Sequence, residues 1–263
     1  MVTRFSDTLS THKAELSEFQ VDDFLENLFW SDVEKIRIRV EELLKKAKWP
    51  IHKEFDFDDC LASRAITLKI KWFKNNRWND GIIWLFAHYS KKIDQDDHQH
   101  ITQNTKDIVS KMTDEEKTRA IDLFIEEEYT WEDALWLVKN VWKYFKDTHC
   151  TYSINTAGIY ELQFAKLQAL GLLAEYNIER YTIVDCANNK IKAAIIWILD
   201  MNQMPQEYII HEDRPELFHK YGQVMAHVLH IPVTVKSIYI NAKNEAAEKW
   251  SVTWKPTHTK ISP

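Results

Sequence analysis

Tyr181-Thr-Ile-Val-Asp-Cys-Ala-Asn-Asn-Lys-Ile-Lys-Ala-Ala-Ile-Ile-Trp-Ile-Leu199 is the stretch on which the fold turns. Two β-rich runs, Tyr181 to Cys186 and Ile191 to Leu199, flank Ala187-Asn188-Asn189, where asparagine tolerates the positive φ of a tight turn. The pattern predicts a β-hairpin. Downstream, Glu207 to His211 reads as a third strand, Pro215 to His230 as a helix, Val233 to Ile240 as a fourth strand and Trp250 to Trp254 as a fifth. The C-terminal part, 171–263, is therefore predicted to be an α+β unit with a four- to five-stranded mixed or antiparallel sheet.

Upstream, residues 1–170 read as a helical domain packed on that unit. Ser31-Asp-Val-Glu34 is a capping-box pattern, followed by Val33, Ile36, Val40, Leu43 and Ala47 at helical spacing. Trp49-Pro50 closes that helix. Asp58 or Asp59 is expected to open the next, Asn79-Asp80 another, and Thr113-Asp-Glu-Glu116 repeats the capping box. Trp131 to Phe145 has so wide an apolar arc that it predicts a central buried helix. A last helix runs from about Thr156 to Leu170, with Gly171 as its left-handed terminating residue.

The chain has 263 residues and four glycines, Gly81, Gly158, Gly171 and Gly222, too widely spaced for a glycine-rich phosphate cradle. Neither a Walker loop nor a dinucleotide fingerprint can be built. Three scattered cysteines make no CxxC pair and read as small buried hydrophobes. No signal peptide or membrane span is visible, which suggests a cytoplasmic protein. The GxSxG and HExxH signatures are missing too.

The formal net charge is −6, and residues 94–133 alone sum to −9. Asp94, Asp96, Asp97, Glu126, Glu127, Glu128, Glu132 and Asp133 form the candidate surface for a basic protein partner. Lys69, Lys71, Lys74 and Arg77 alternate with Trp72, Phe73 and Trp78, a pattern that can grip nucleic acid, but the acidic balance of the chain argues against it. His227 and His230, at i and i+3, are the histidines of their helix close enough to share a metal, and the sequence nominates no third ligand.

A predicted hairpin ending in an acidic residue, then a strand and a helix, loosely resembles the core of restriction-endonuclease-like nucleases. That resemblance implies Asp185 and Asp200 as magnesium ligands. The acidic-x-Lys element of such nucleases is absent, as Asp200-Met-Asn202 and Glu207-Tyr-Ile209 show. The helix ending Lys166-Leu-Gln-Ala-Leu-Gly-Leu-Leu173 resembles the second half of a winged helix, with Lys166 its sole basic residue. The leading expectation is a non-catalytic protein of the inhibitor or immunity type, without cofactor, binding a basic partner. The alternative is a metal-dependent hydrolase or nuclease-like enzyme using Asp185, Asp200, Glu207 and His211 with Mg²⁺ or Mn²⁺.

Overall fold

The computed structural model describes residues 23, 26, 29, 32–46, 50–62, 107, 110–119, 122, 137–158, 160–176, 178, 180–185, 188–214 and 216–256. In chain order its elements are α1 (Val33–Leu44), β1 (Ile51–Phe55), β2 (Cys150–Ala157), α2 (Tyr160–Ala169), α3 (Leu172–Glu175), β3 (Arg180–Val184), α4 (Asn188–Asp200), β4 (Tyr208–Glu212), α5 (Glu216–Leu229), β5 (Val233–Ile240) and β6 (Ala246–Trp254). The predicted hairpin is thus a strand followed by a helix. Ile191, Ala194, Ile195 and Ile198 recur at three and four residues and are all 2% exposed or less. Their helical period outweighs the β preference of the individual isoleucines.

The six strands form one sheet in the order β3-β2-β1-β4-β5-β6. Pairs β1–β2, β1–β4, β2–β3 and β4–β5 are parallel, and β6 joins β5 antiparallel at the edge. This corrects the expected helical N-terminal part packed on an α+β unit with a smaller sheet: the fold is α/β, and β1 and β2, from the part expected to be helical, lie in the sheet. β1 escaped notice because His52, Lys53 and Glu54 interrupt a strand of only five residues, leaving neither an apolar run nor an apolar/polar alternation.

Each sheet face is covered. One cluster joins Ile36, Val40 and Leu43 of α1, Ile195 and Ile198 of α4 and Val224, Met225 and Leu229 of α5 to Tyr208, Ile210, Val233 and Val235 of the sheet. The other joins Phe55, Phe57, Leu61 and Ile154 to Leu167 of α2, Leu172 of α3 and the segment carrying Val138 and Val141. Within the predicted central helix, residues 137–145 instead hold an isolated bridge, a turn and a 3-10 turn at Val141–Lys143; 131–136 lie outside the described residues. Residues 58–62 likewise form a turn rather than a helix start, with Leu61 and Ala62 amides both donating to Phe57 O. Leu61 O accepts from Val138 N, and Ala62 bridges Leu137, so the chain leaves and rejoins the sheet layer at adjacent points.

Two local readings coincide with the structure. Thr113 Oγ1 accepts from Glu116 N, while Glu116 Oε2 accepts from Thr113 N, the reciprocal pair of a capping box. Gly171 has φ 62° at the end of α2.

Candidate active site at the carboxyl ends of β1 and β4

From β1 the chain first builds outward through β2 and β3, then returns to place β4 on the other flank of β1. Open parallel sheets bind ligands at such a reversal, outside the carboxyl ends of the strands. Asp56 and Asp58 follow β1 there. Glu212 ends β4 and Asp213 follows it, Thr156 lies near the end of β2, and Lys190 stands in the first turn of α4.

Asp56, Glu212 and Asp213 each offer a carboxylate oxygen within 4.8 Å of the others. Lys190 Nζ lies 2.9 Å from Asp56 Oδ1 and 2.5 Å from Glu212 Oε2. Its main chain is held as well, since Asn155 Nδ2 donates to Lys190 O at 2.9 Å. Lys190, Asp56 and Glu212 are buried, so their charges act through a poorly screening medium. Burial alone would raise the Asp56 carboxyl, but the Lys190 ammonium and hydrogen bonds around it carry it below its ordinary value. Glu212 goes the other way, pushed well up by burial and by the Asp56 charge against the pull of Lys190. Burial opposes the charge of Lys190, yet its two carboxylate partners raise its ammonium above the ordinary value. Lys190 lies between Asp56 and Glu212, and Arg214 Nε is 3.9 Å from Asp213, so two cations face three carboxyl groups and leave a deficit of positive charge when all three are ionised. Three hard oxygen donors with that deficit fit a divalent cation such as Mg²⁺, which favours one or two carboxylates completed by water.

Asp58 is held by a different lysine. Lys166 Nζ lies 2.8 and 3.0 Å from its two oxygens, and Gln163 Nε2 donates to Oδ2 at 2.9 Å. Both donors come from α2, one turn apart. The site opens on the side of Asp213 and Arg214, whose side chains are 13% and 49% exposed.

The residues predicted for the hydrolase alternative do not meet. Asp185 is exposed beyond β3, where Asn189 Nδ2 donates to it. Asp200 ends α4 and Glu207 precedes β4, both towards the amino ends of the strands; Asp200 faces Arg180 at 3.8 Å, and Glu207 accepts from Thr234 Oγ1. His211 is next to Glu212 in sequence but points through the other face of β4, stacked on Phe55 at 4.2 Å. Burial pushes its imidazole down to about 3. His227 and His230 have ring centroids 6.2 Å apart, with no third candidate ligand grouped with them among the described residues. Asp94, Asp96, Asp97, Glu126, Glu127, Glu128, Glu132, Asp133, Lys69, Lys71, Lys74 and Arg77 lie outside the described residues.

No family model matches the chain, and no curated protein does. Among solved structures it is similar to a haloacid dehalogenase-like hydrolase from Burkholderia xenovorans. That match has 14% identity and a TM-score of 0.40, covering 67% of this chain and 76% of that one. A HAD-type hydrolase from Bacillus subtilis, solved bound to magnesium, gives 12% and 0.35, over 63% and 80% of the two chains. A haloacid dehalogenase-like hydrolase from Xanthomonas campestris gives 12% and 0.34, over 65% and 76%. At values this low, what the site does follows from its own atoms. The expected non-catalytic inhibitor or immunity-type protein without cofactor is corrected by the site itself: a buried cluster of three carboxyl groups around Lys190 sits at the carboxyl ends of the strands, where it can take a cation.

The sequence analysis missed Asp56, Asp58, Lys166 as a partner of Asp58, Lys190, Glu212 and Asp213. The available signal was local: acidic residues closing two short strands, at Phe55-Asp-Phe-Asp58 and at His211-Glu-Asp213. Among the described residues no helix is long and apolar enough to cross a membrane.

Proposed function

We propose that the protein is a divalent-cation-dependent hydrolase of small phosphate esters. The observation that carries this reading is the Asp56, Glu212 and Asp213 cluster around Lys190 at the point where the strand order reverses. Asp56, Glu212 and Asp213 would hold the cation, which supplies Lewis-acid neutralisation of phosphoryl charge. The buried carboxylates favour a terminal phosphate, which can reach into the enclosed cluster, over one embedded in a polymer.

Asp56 is the nucleophile in this scheme. Of the two fully enclosed carboxyl groups it is the one held ionised, and a desolvated carboxylate attacks well. One of its oxygens bonds to phosphorus as the ester P–O bond breaks, and the alcohol leaves with the bonding electrons and takes a proton from solvent. Water then attacks the same phosphorus, Asp58 accepts its proton, and phosphate departs as the Asp56 carboxylate is restored. Lys190 keeps Asp56 ionised and oriented throughout. A cytoplasmic setting is proposed with this function, supported by the free thiols of Cys60 and Cys150.

The test is phosphate release from p-nitrophenyl phosphate and a panel of sugar and nucleoside monophosphates, with Mg²⁺ or Mn²⁺ and with chelator. Cation-dependent release that Asp56→Asn removes is expected. No release from any ester with either metal would sink the reading.

A further inference from the structure

Asp58 sits in a turn that the backbone already constrains: its strand-like bridge to Ala62 closes the turn, and Asp59 next to it has φ 57°. The side chain is then fixed from outside the turn. Lys166 Nζ reaches both carboxylate oxygens, at 2.8 and 3.0 Å, and Gln163 Nε2 adds a donor at 2.9 Å to Oδ2 and another contact, 3.2 Å, to Ala157 O. Lys166, Gln163 and Asp58 are all buried. Lys166 and Gln163 thus bind Asp58 from one face of α2 and tie that helix to the end of β1.

The approach depends on Gly158. A Cβ there would lie 2.8 Å from Gln163 Nε2 and 3.1 Å from its Cγ, with the backbone at φ 156°. Any side chain at 158 would push the Gln163 amide off Asp58. Three positions of the β2–α2 unit, 158, 163 and 166, therefore converge on one carboxylate of the β1 turn. Buried ion pairs of this kind are weak sources of stability, because desolvation offsets their attraction, but they fix geometry.

We propose that Lys166, assisted by Gln163, is a positioning residue for the hydrolytic reaction, holding the Asp58 carboxylate where it meets the attacking water. The inference rests on the hydrolase reading above and adds a residue pair to it. Lys166 touches neither substrate nor cation in this scheme; it acts through Asp58 alone.

The test is a double-mutant cycle on the full chain with p-nitrophenyl phosphate at saturating Mg²⁺. Lys166→Met is expected to lower kcat about 10²-fold, the scale of a misplaced catalytic group, with KM unchanged. Lys166→Arg, which keeps the charge and two donors, should restore most of that loss. In an Asp58→Asn background Lys166→Met should cost nothing further in kcat. Gln163→Ala keeps the ion pair, serves if Lys166→Met does not fold, and should show a smaller kcat loss that also vanishes with Asp58→Asn. A raised KM at constant kcat would assign Lys166 to substrate instead and overturn the proposal, as would equal kcat losses in the two backgrounds. Absence of turnover by the wild type overturns the hydrolase reading and the clamp with it, whereas an active wild type indifferent to Lys166 and Gln163 overturns the clamp alone.

Discussion

Two buried lysines meet the carboxylates that follow β1, and they meet them on different terms. Lys166 faces one carboxylate, Asp58, with Gln163 as a neutral helper, so charge balances locally, while Gln163 Oε1 is buried with no hydrogen-bond partner among the described residues. Lys190 faces both Asp56 and Glu212, and with Arg214 3.9 Å from Asp213 the cluster still has one carboxyl group more than it has cations. A balanced pair fixes a geometry; an unbalanced cluster calls for a further cation or a proton. The two sites are two residues apart on the chain, yet by this difference one positions a group and the other binds and reacts.

The sharpest break of that contrast is chemical. Asp56→Asn keeps the shape of the side chain but removes its negative charge, and activity should fall by roughly 10³-fold or more, as when an enzyme loses its nucleophile. Phosphate release under saturating substrate measures it; retention of a tenth of wild-type turnover would move the nucleophile elsewhere. Next in size is Lys166→Met, which leaves Asp58 buried without its counter-charge and should cost about 3–5 kcal/mol in denaturant unfolding. A cost below about 1 kcal/mol would mean that Asp58 finds water when the lysine goes.

The cation distinguishes the sites directly. At a hundredfold excess over its dissociation constant, Mg²⁺ should stabilise the fold by about 2.7 kcal/mol through linkage. Asp213→Asn should shrink that shift, and Lys166→Met should leave it intact while lowering stability at every Mg²⁺ concentration. Equal shrinkage in both variants, read from thermal melts with and without chelator, would erase the distinction between the sites.

The sequence was legible where one physical signal dominated. The Thr113 and Glu116 capping box, the left-handed Gly171, α5 and the span of β5 could be read because each follows from local chemistry or from a clear period. The sheet centre was not legible. β1 carries His52 and Glu54 towards the α4 face, and Asp56 follows it, so its buried positions look polar, and their burial is made tolerable by partners from β2, β4 and α4. His52 bonds Thr151 and Ser153, and Tyr208 donates to Glu54. In α4 the isoleucines masked a helical period. The histidines near residue 211 drew attention from Glu212 and Asp213 because histidine is a familiar ligand; whether a side chain faces the site depends on strand alternation, which turns His211 away and Glu212 inward.

Glu54 gives the smallest expected effect and probes the layer beneath the Lys190 cluster. Its Oε2 accepts from Tyr208 OH at 2.6 Å, while Oε1 and Asn155 Oδ1 are both buried with no hydrogen-bond partner among the described residues. Burial raises the Glu54 carboxyl from 4.5 to about 7, against the pull of Tyr208 and Lys190. Between those values the folded protein holds a proton that the unfolded chain has released. Stability contributed by this group is therefore full below about 4.5 and is lost as pH rises through 7. His211, lowered to about 3, works in the opposite sense: stability falls as pH drops from 6.5 towards 3. Glu54→Gln leaves His211 in place, so the difference between variant and wild type isolates Glu54. The glutamine keeps an acceptor for Tyr208 and cannot titrate. In chelator it should gain on the wild type progressively from pH 4.5 to 7 and be more stable by about 1–2 kcal/mol at pH 8. A difference that stays flat across that window, measured by denaturant unfolding, would show that Glu54 does not titrate there and that the layer under Lys190 is already balanced.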